Sequence, residues 1–306
     1  MNEQTNIKNK RYPWLAVFLS LLMPGLGQLY CGAIIKCLWL TGSISLVGLL
    51  SLLGLVPGFQ VNGKAVLFFQ ALSLLLYGLG LIDAFITARH IREDYKLKDY
   101  NRCSAYLLLC VAVSGGYIFS SLYVRDRLLQ PFKVQNAAMY PAILPGDRLL
   151  AAKNAYQDND PEVGDIVIFR NPDNRSQFWI KRVVAAGGDA VEIREGEIYI
   201  NDTKLKREEA PFPTVIPSQI ERAGMYFYES NRAARYRIFL TSNGVPRGRS
   251  FPKTTIPKHH CFVLGDNRDN SFDSRYFGAI PVVGIVGKAS FIYAPSQDWS
   301  RFGTMP

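Results

Sequence analysis

Lys181 lies in the run Phe178-Trp179-Ile180-Lys181-Arg182-Val183-Val184. Alternate side chains of a strand share a face, so Trp179, Lys181 and Val183 point one way and Arg182 the other. An ammonium has no lone pair, and at an ordinary pKa of about 10.4 well under roughly 1% is neutral near pH 7. Apolar surroundings can depress that value by roughly 3–5 units, enough to make a lysine a working base. Taken alone, such a lysine reads as a solvated strand residue, so its chemistry depends on what else converges on it. The histidines offer less: His90 stands beside an apolar run, His259-His260 have no motif around them, and no Ser–His–Asp triad assembles from the three. Cys31, Cys37, Cys103 and Cys110 lie in or beside apolar runs, which leaves Cys261 alone in the remainder. Without a C-x-x-C spacing there is no zinc signature, and no metal or cofactor is expected.

The elements that would hold Lys181 divide the chain. Of 306 residues, 48% are hydrophobic and 20% charged, which excludes a disordered chain. Residues 1–124 carry 10 Lys and Arg against 5 Asp and Glu, set between long apolar runs, and residues 125–306 have the mixed charge of a soluble domain. This partition reads as a membrane anchor with a folded domain attached. It argues against a nucleic-acid binder, whose basic residues would cluster on a soluble surface.

Three runs, about 37–56, 65–88 and 104–124, are long enough to cross a bilayer. The segment 89–103 holds Arg89, Arg92, Lys96, Lys98 and Arg102, which places it in the cytoplasm by the positive-inside rule. The chain after Arg125 then lies outside. Ahead of these runs, 14–23 is apolar but short and is interrupted by Pro24-Gly25-Leu26-Gly27-Gln28, so 13–35 reads as a re-entrant or interfacial segment. Asp83 sits inside an apolar run near its cytoplasmic end, where a helix partner or snorkelling accounts for it.

Beyond residue 125 the pattern shifts to short alternating segments between Gly, Pro, Asn and Asp. Strands are expected at 163–170, 178–184, 190–193, 198–200, 261–264 and 285–293, with a hairpin turn at Glu195-Gly196-Glu197. The expected architecture is therefore a multi-span α-helical anchor followed by an all-β domain. The stretch 207–258, rich in Pro and charge, reads as an irregular inserted subdomain.

Three segments of the soluble half stand in a recognisable order. Asn136-Ala137-Ala138-Met139-Tyr140-Pro141 leads into Leu144-Pro145-Gly146-Asp147. Gly164-Asp165-Ile166-Val167-Ile168-Phe169 precedes Ile180-Lys181-Arg182-Val183-Val184 and Gly188-Asp189. Last comes Gly265-Asp266-Asn267-Arg268-Asp269-Asn270-Ser271-Phe272-Asp273-Ser274-Arg275, followed by Gly278 and Pro281. This series resembles the boxes of bacterial type I signal peptidases over roughly 132–290. The resemblance implies a signal-peptidase-like β fold with a Ser–Lys dyad at the bacterial inner (plasma) membrane; the multi-pass anchor read from the apolar runs is longer than that family's usual one or two spans. The domain would stand on the extracytoplasmic face and remove signal peptides from exported precursors. Its partners would be those signal peptides and membrane lipid, not nucleic acid.

The resemblance also implies roles. Lys181 matches the general base and Ser271 the residue that orients it. Asn136 stands where many members have an oxyanion-site serine, and its amide can donate; the backbone N–H of Ala138 would be the other donor. Met139 and Pro141 match the segment around the nucleophile, while Asp273 and Arg275 are expected to pair on one face of a strand. Phe132, Val134 and Met139 are expected to form an apolar rim near the membrane. The departure is Ala138, where the family has its nucleophilic serine. A methyl group cannot attack a carbonyl, so the chain as it stands is expected to be inactive. Two readings remain open: an enzyme of this type whose serine has been replaced, favoured by the retained Lys181, and a natural pseudoprotease that binds precursors or assists membrane assembly.

Overall fold

The computed structural model describes residues 10–53, 63–91, 98–172, 174–213, 224–241 and 250–305. The chain separates into two compact units, Met1–Val124 and Arg125–Pro306.

The first unit is helical. It comprises α1 (Pro13–Leu22), α2 (Leu26–Tyr30), α3 (Ile34–Leu53), α4 (Gly63–His90) and α5 (Cys103–Tyr123). The helices α3, α4 and α5 are long and apolar enough to cross a membrane, whereas α1 has only 10 residues. Each of the three expected runs thus forms a helix; residues 54–56 of the first run and 92–97 of the basic segment lie outside the described residues. The short helix α2 is tied down by polar contacts. Gln28, 1% exposed, donates from Nε2 to the Gly80 carbonyl (2.7 Å) and to Asp83 (3.2 Å). Asp83 in turn pairs with Lys36 of α3 at 2.7 Å, which is the helix partner its apolar setting calls for.

The second unit is built from strands. They are β1 (Leu129–Lys133), β2 (Arg148–Ala152), β3 (Ile166–Arg170), β4 (Phe178–Ala186), β5 (Ala190–Arg194), β6 (Glu197–Ile200), β7 (Thr203–Lys204), β8 (Lys206–Glu209), β9 (Gly224–Asn231), β10 (Ala234–Thr241), β11 (Phe251–Thr255), β12 (His260–Leu264), β13 (Ile280–Pro281), β14 (Ile285–Ala294) and β15 (Gly303–Thr304). A single-turn helix, α6 (Ser274–Phe277), lies between β12 and β13. The main sheet runs β1-β2-β14-β3-β4-β12-β13 with β15 on β14, and a second runs β11-β5-β6-β7. Ile166 to Phe169 of β3 are all buried, so this strand is covered on both faces and reads as a continuous apolar run. Ile166 and Ile168 pack with Leu149, Ile143 and Met139, while Val167 and Phe169 pack with Val183 and Val263.

The expected strands form with shifted ends. The Glu195-Gly196 turn joins β5 to β6 with Arg194 opposite Glu197. Both turn residues have positive φ, +52° and +85°, as a two-residue hairpin that follows the strand twist demands. The 207–258 stretch departs from expectation, because most of its described residues form strands. β10-β9-β8 form a third sheet and β11 joins β5, while 214–223 and 242–249 lie outside the described residues. Tyr226, Tyr236 and Phe239 supply buried aromatic surface from β9 and β10, which offsets the local charge that masked the pattern.

Candidate active site

The antiparallel pairing of β4 and β12 sets the frame. Val183 lies opposite Val263 and Arg182 opposite Leu264, so one further step brings Gly265 level with Lys181. Gly265 is the junction of the site. A Cβ there would meet Ser271 Oγ at 2.2 Å and the Ala138 carbonyl at 2.5 Å, so only glycine lets the first and last boxes close on one another. Asn267 completes the closure. Its backbone N–H donates to the Ala138 carbonyl (3.1 Å), and its Nδ2 donates to the Ala137 carbonyl (3.2 Å).

Lys181 is 5% exposed and faces the same way as Trp179, whose ring centroid lies 6.0 Å from Nζ. The one side-chain hydrogen bond it makes among the described residues runs from Nζ to the Ile180 carbonyl at 3.1 Å. Burial pushes its pKa down to about 8; Asp273 and Asp266 pull it back upward, and Arg275 adds to the depression. A lysine so placed reaches its neutral form near ordinary pH and can accept a proton.

The opposite face of β4 carries Arg182. Its Nε and Nη2 donate to both oxygens of Asp266 at 2.8 and 2.7 Å, and Nη1 donates to the Gly164 carbonyl at 2.7 Å. Both partners are almost wholly buried, so neither could be removed without leaving an uncompensated charge. Strand alternation thus separates a depressed, weakly bonded lysine from a fully paired arginine one residue away.

Asp273 and Arg275 do pair, with Nε to Oδ1 at 2.8 Å. They do so at a helix start and not along a strand: Asp273 is the N-cap of α6 and also accepts from the Gly265 N–H at 3.0 Å. The alternation argument fails there because a capping aspartate followed by Ser-Arg begins a helical turn. Ser271 Oγ is buried and makes no hydrogen bond among the described residues, so the bond that would orient Lys181 is not formed here. Asn136 is exposed, and its Oδ1 accepts the Ala138 N–H at 3.2 Å. Its amide therefore covers one expected oxyanion donor instead of adding a second. Ala138 is 8% exposed.

The expected apolar rim is corrected. Val134 and Met139 belong to the interior packed around Ile168, and only Phe132 reaches the surface, edge-to-face with Phe178 at 5.2 Å. Pro141 follows the buried Tyr140 at the end of the same segment. Residues with no assigned role in the sequence reading are Arg182, Asp266, Asn267, Arg268 and Glu229. Four of them lie inside the quoted boxes, so the signal was present without the geometry. Glu229 falls in the stretch read as irregular.

The model of the family described as "Signal peptidase, peptidase S26" matches residues 104–294. The chain is 33% identical over 190 residues to thylakoidal processing peptidase 1, chloroplastic, from Arabidopsis thaliana, covering 59% of this chain and 46% of that protein. It spans less than half the length of the Arabidopsis relatives it matches. Signal peptidase I from Pseudomonas aeruginosa is 32% identical over 210 residues, covering 59% of this chain and 70% of that protein. Probable signal peptidase I-1 from Synechocystis is 29% identical over 191 residues, covering 60% and 81%. With the family match extending over more than half of its length, the chain belongs to the signal peptidase family, peptidase S26.

Proposed function

We propose that this chain has the framework of a membrane-anchored Ser–Lys endopeptidase that removes signal peptides from exported precursors, in a form lacking the nucleophile. The observation that carries the reading is Lys181: buried, depressed to about 8, and set on the strand beside the Gly265 junction where Ala138 and Ser271 meet. With serine at 138, its hydroxyl would attack the scissile carbonyl while Lys181 takes the proton. The tetrahedral oxyanion would be met by the 138 N–H, once Asn136 turns away from it, with the Asn136 amide as second donor. Breaking that partly buried hydrogen bond costs about 1 kcal/mol. Ser271 would orient the lysine, and Met139, Pro141, Asp273 and Arg275 would support the site. Residues 1–124 would anchor the domain through three spans with 13–35 re-entrant or interfacial, 89–103 would face the cytoplasm, and 125–306 the opposite side.

Ala138 itself favours a second reading, a pseudoprotease that binds precursors without cutting them. Both readings require signal-peptide recognition, in which an extended segment with small residues at −1 and −3 adds to a strand edge. The full chain in detergent should bind an A-x-A peptide more tightly than one with a bulky −1 residue. Equal binding of the two would remove recognition from both readings.

A further inference from the structure

We propose that Glu229 of β9 is a positioning residue for the nucleophile segment, acting through Arg268 and Asn267. This rests on the function proposed above. Glu229 is 0% exposed and takes two hydrogen bonds from Arg268, Nη1 to Oε2 at 2.8 Å and Nη2 to Oε1 at 2.5 Å. Arg207 Nε adds a third at 3.0 Å, and the Tyr236 hydroxyl a fourth at 3.0 Å. The carboxylate is thereby held ionised in the interior: burial pushes its pKa up, and the Arg268 and Arg207 guanidiniums outweigh that, leaving it well below the usual carboxylate range.

Arg268 passes the restraint on. Its Nε donates to the Gly265 carbonyl at 3.1 Å, its N–H donates to the Phe239 carbonyl of β10 at 3.0 Å, and its own carbonyl accepts from Arg275 Nη2 at 2.6 Å. Gly265 through Arg268 is therefore clamped at both ends. Asn267, inside the clamp, holds the carbonyls of Ala137 and Ala138, and Phe239 bridges Asn267 directly. The third sheet thus reaches the reacting position through the Glu229–Arg268 hydrogen bonds, the peptide link from Arg268 to Asn267, and the hydrogen bonds of Asn267 to Ala137 and Ala138, all from buried residues. A glutamate four-fold bonded at zero exposure has no route to the substrate, so its effect is on geometry. A guanidinium fork also defines orientation better than a point charge, which makes the pair suited to fixing a backbone segment.

The test has two arms on the full chain in detergent. In the first, hydrogen exchange is followed in the Ala138 protein and in Glu229→Gln. Protection at Asn267 and Arg268 should fall at least tenfold, while β5 and β6 stay within twofold. Unchanged protection at Asn267 and Arg268 would overturn the proposal. In the second, Glu229→Gln is added to Ala138→Ser and assayed well below the unfolding midpoint. The expected result is a kcat lowered at least tenfold with KM within threefold; a loss of stability with kcat per folded molecule unchanged would also overturn it, since that is what a merely structural role gives. If Glu229→Gln does not fold, Tyr236→Phe, which removes one bond to the same carboxylate, should show both effects at two- to fivefold, and no effect in either arm would refute positioning. An inactive Ala138→Ser parent would count against the proposed function alone, because the exchange arm reads the clamp without turnover.

Discussion

Replacing Lys181 by Met should stabilise the protein at pH 6, and the gain should disappear as the pH rises. The displacement of this lysine from 10.5 to about 8 corresponds to about 3 kcal/mol at 1.36 kcal/mol per unit. Below pH 8 both folded and unfolded chains hold the proton, and the folded one bears the full cost of burying an ammonium. Between about 8 and 10.5 the unfolded chain still binds a proton that the folded chain has released, so stability rises with pH across that window. Above it the penalty is gone. Met fills the stem volume without charge, at the loss of the bond to the Ile180 carbonyl, worth about 1 kcal/mol. The net gain for Lys181→Met is then about 2 kcal/mol at pH 6, shrinking through pH 8 to 10 and reversing sign slightly at pH 10.5. Urea unfolding in detergent, followed by tryptophan fluorescence at a series of pH values, measures it. Destabilisation at pH 6, or a gain that does not depend on pH, would show that Lys181 is held as a satisfied cation and would refute the reasoning.

Two further outcomes follow from the same geometry. Gly265→Ala should destabilise the domain by about 1–3 kcal/mol, since the new methyl meets a backbone carbonyl at 2.5 Å, and it should abolish any activity restored at position 138; Gly284→Ala, whose Cβ would meet only Pro281 Cγ at 3.8 Å, should leave that activity intact. Cys103, exposed at the start of α5, should resist a membrane-impermeant maleimide in intact cells and react after permeabilisation, while a cysteine replacing the exposed Lys206 should react in both; the reverse pattern would invert the proposed topology.

What the sequence made legible tracks the range of the interactions involved. Strands β3, β4 and β14 were readable because their burial is written in alternating or continuous apolar residues. Strands β1 and β2 were missed: Pro131 interrupts the first, tolerable because β1 is an edge strand, and the second is a short Arg-Leu-Leu-Ala-Ala run with weak strand preference. The burial of Lys181 followed from its neighbours, whereas the direction of the Asn136 amide did not, because it is set by one contact with Ala138 in three dimensions. Glu229 was invisible for the same reason. Its partner Arg268 is 39 residues away, and nothing local distinguishes it from a solvated glutamate.

The central proposal is that a hydroxyl restored at position 138 suffices for Ser–Lys peptide hydrolysis by this chain. Its most direct test is cleavage of a signal-peptide-bearing precursor in liposomes by three forms: the chain itself, Ala138→Ser, and Ala138→Ser with Lys181→Met. The account predicts cleavage by the single variant alone, at the junction after the A-x-A segment, and silence from the other two. A folded Ala138→Ser protein that binds precursor and never cuts it, or a double variant that cuts as fast as the single one, would contradict it.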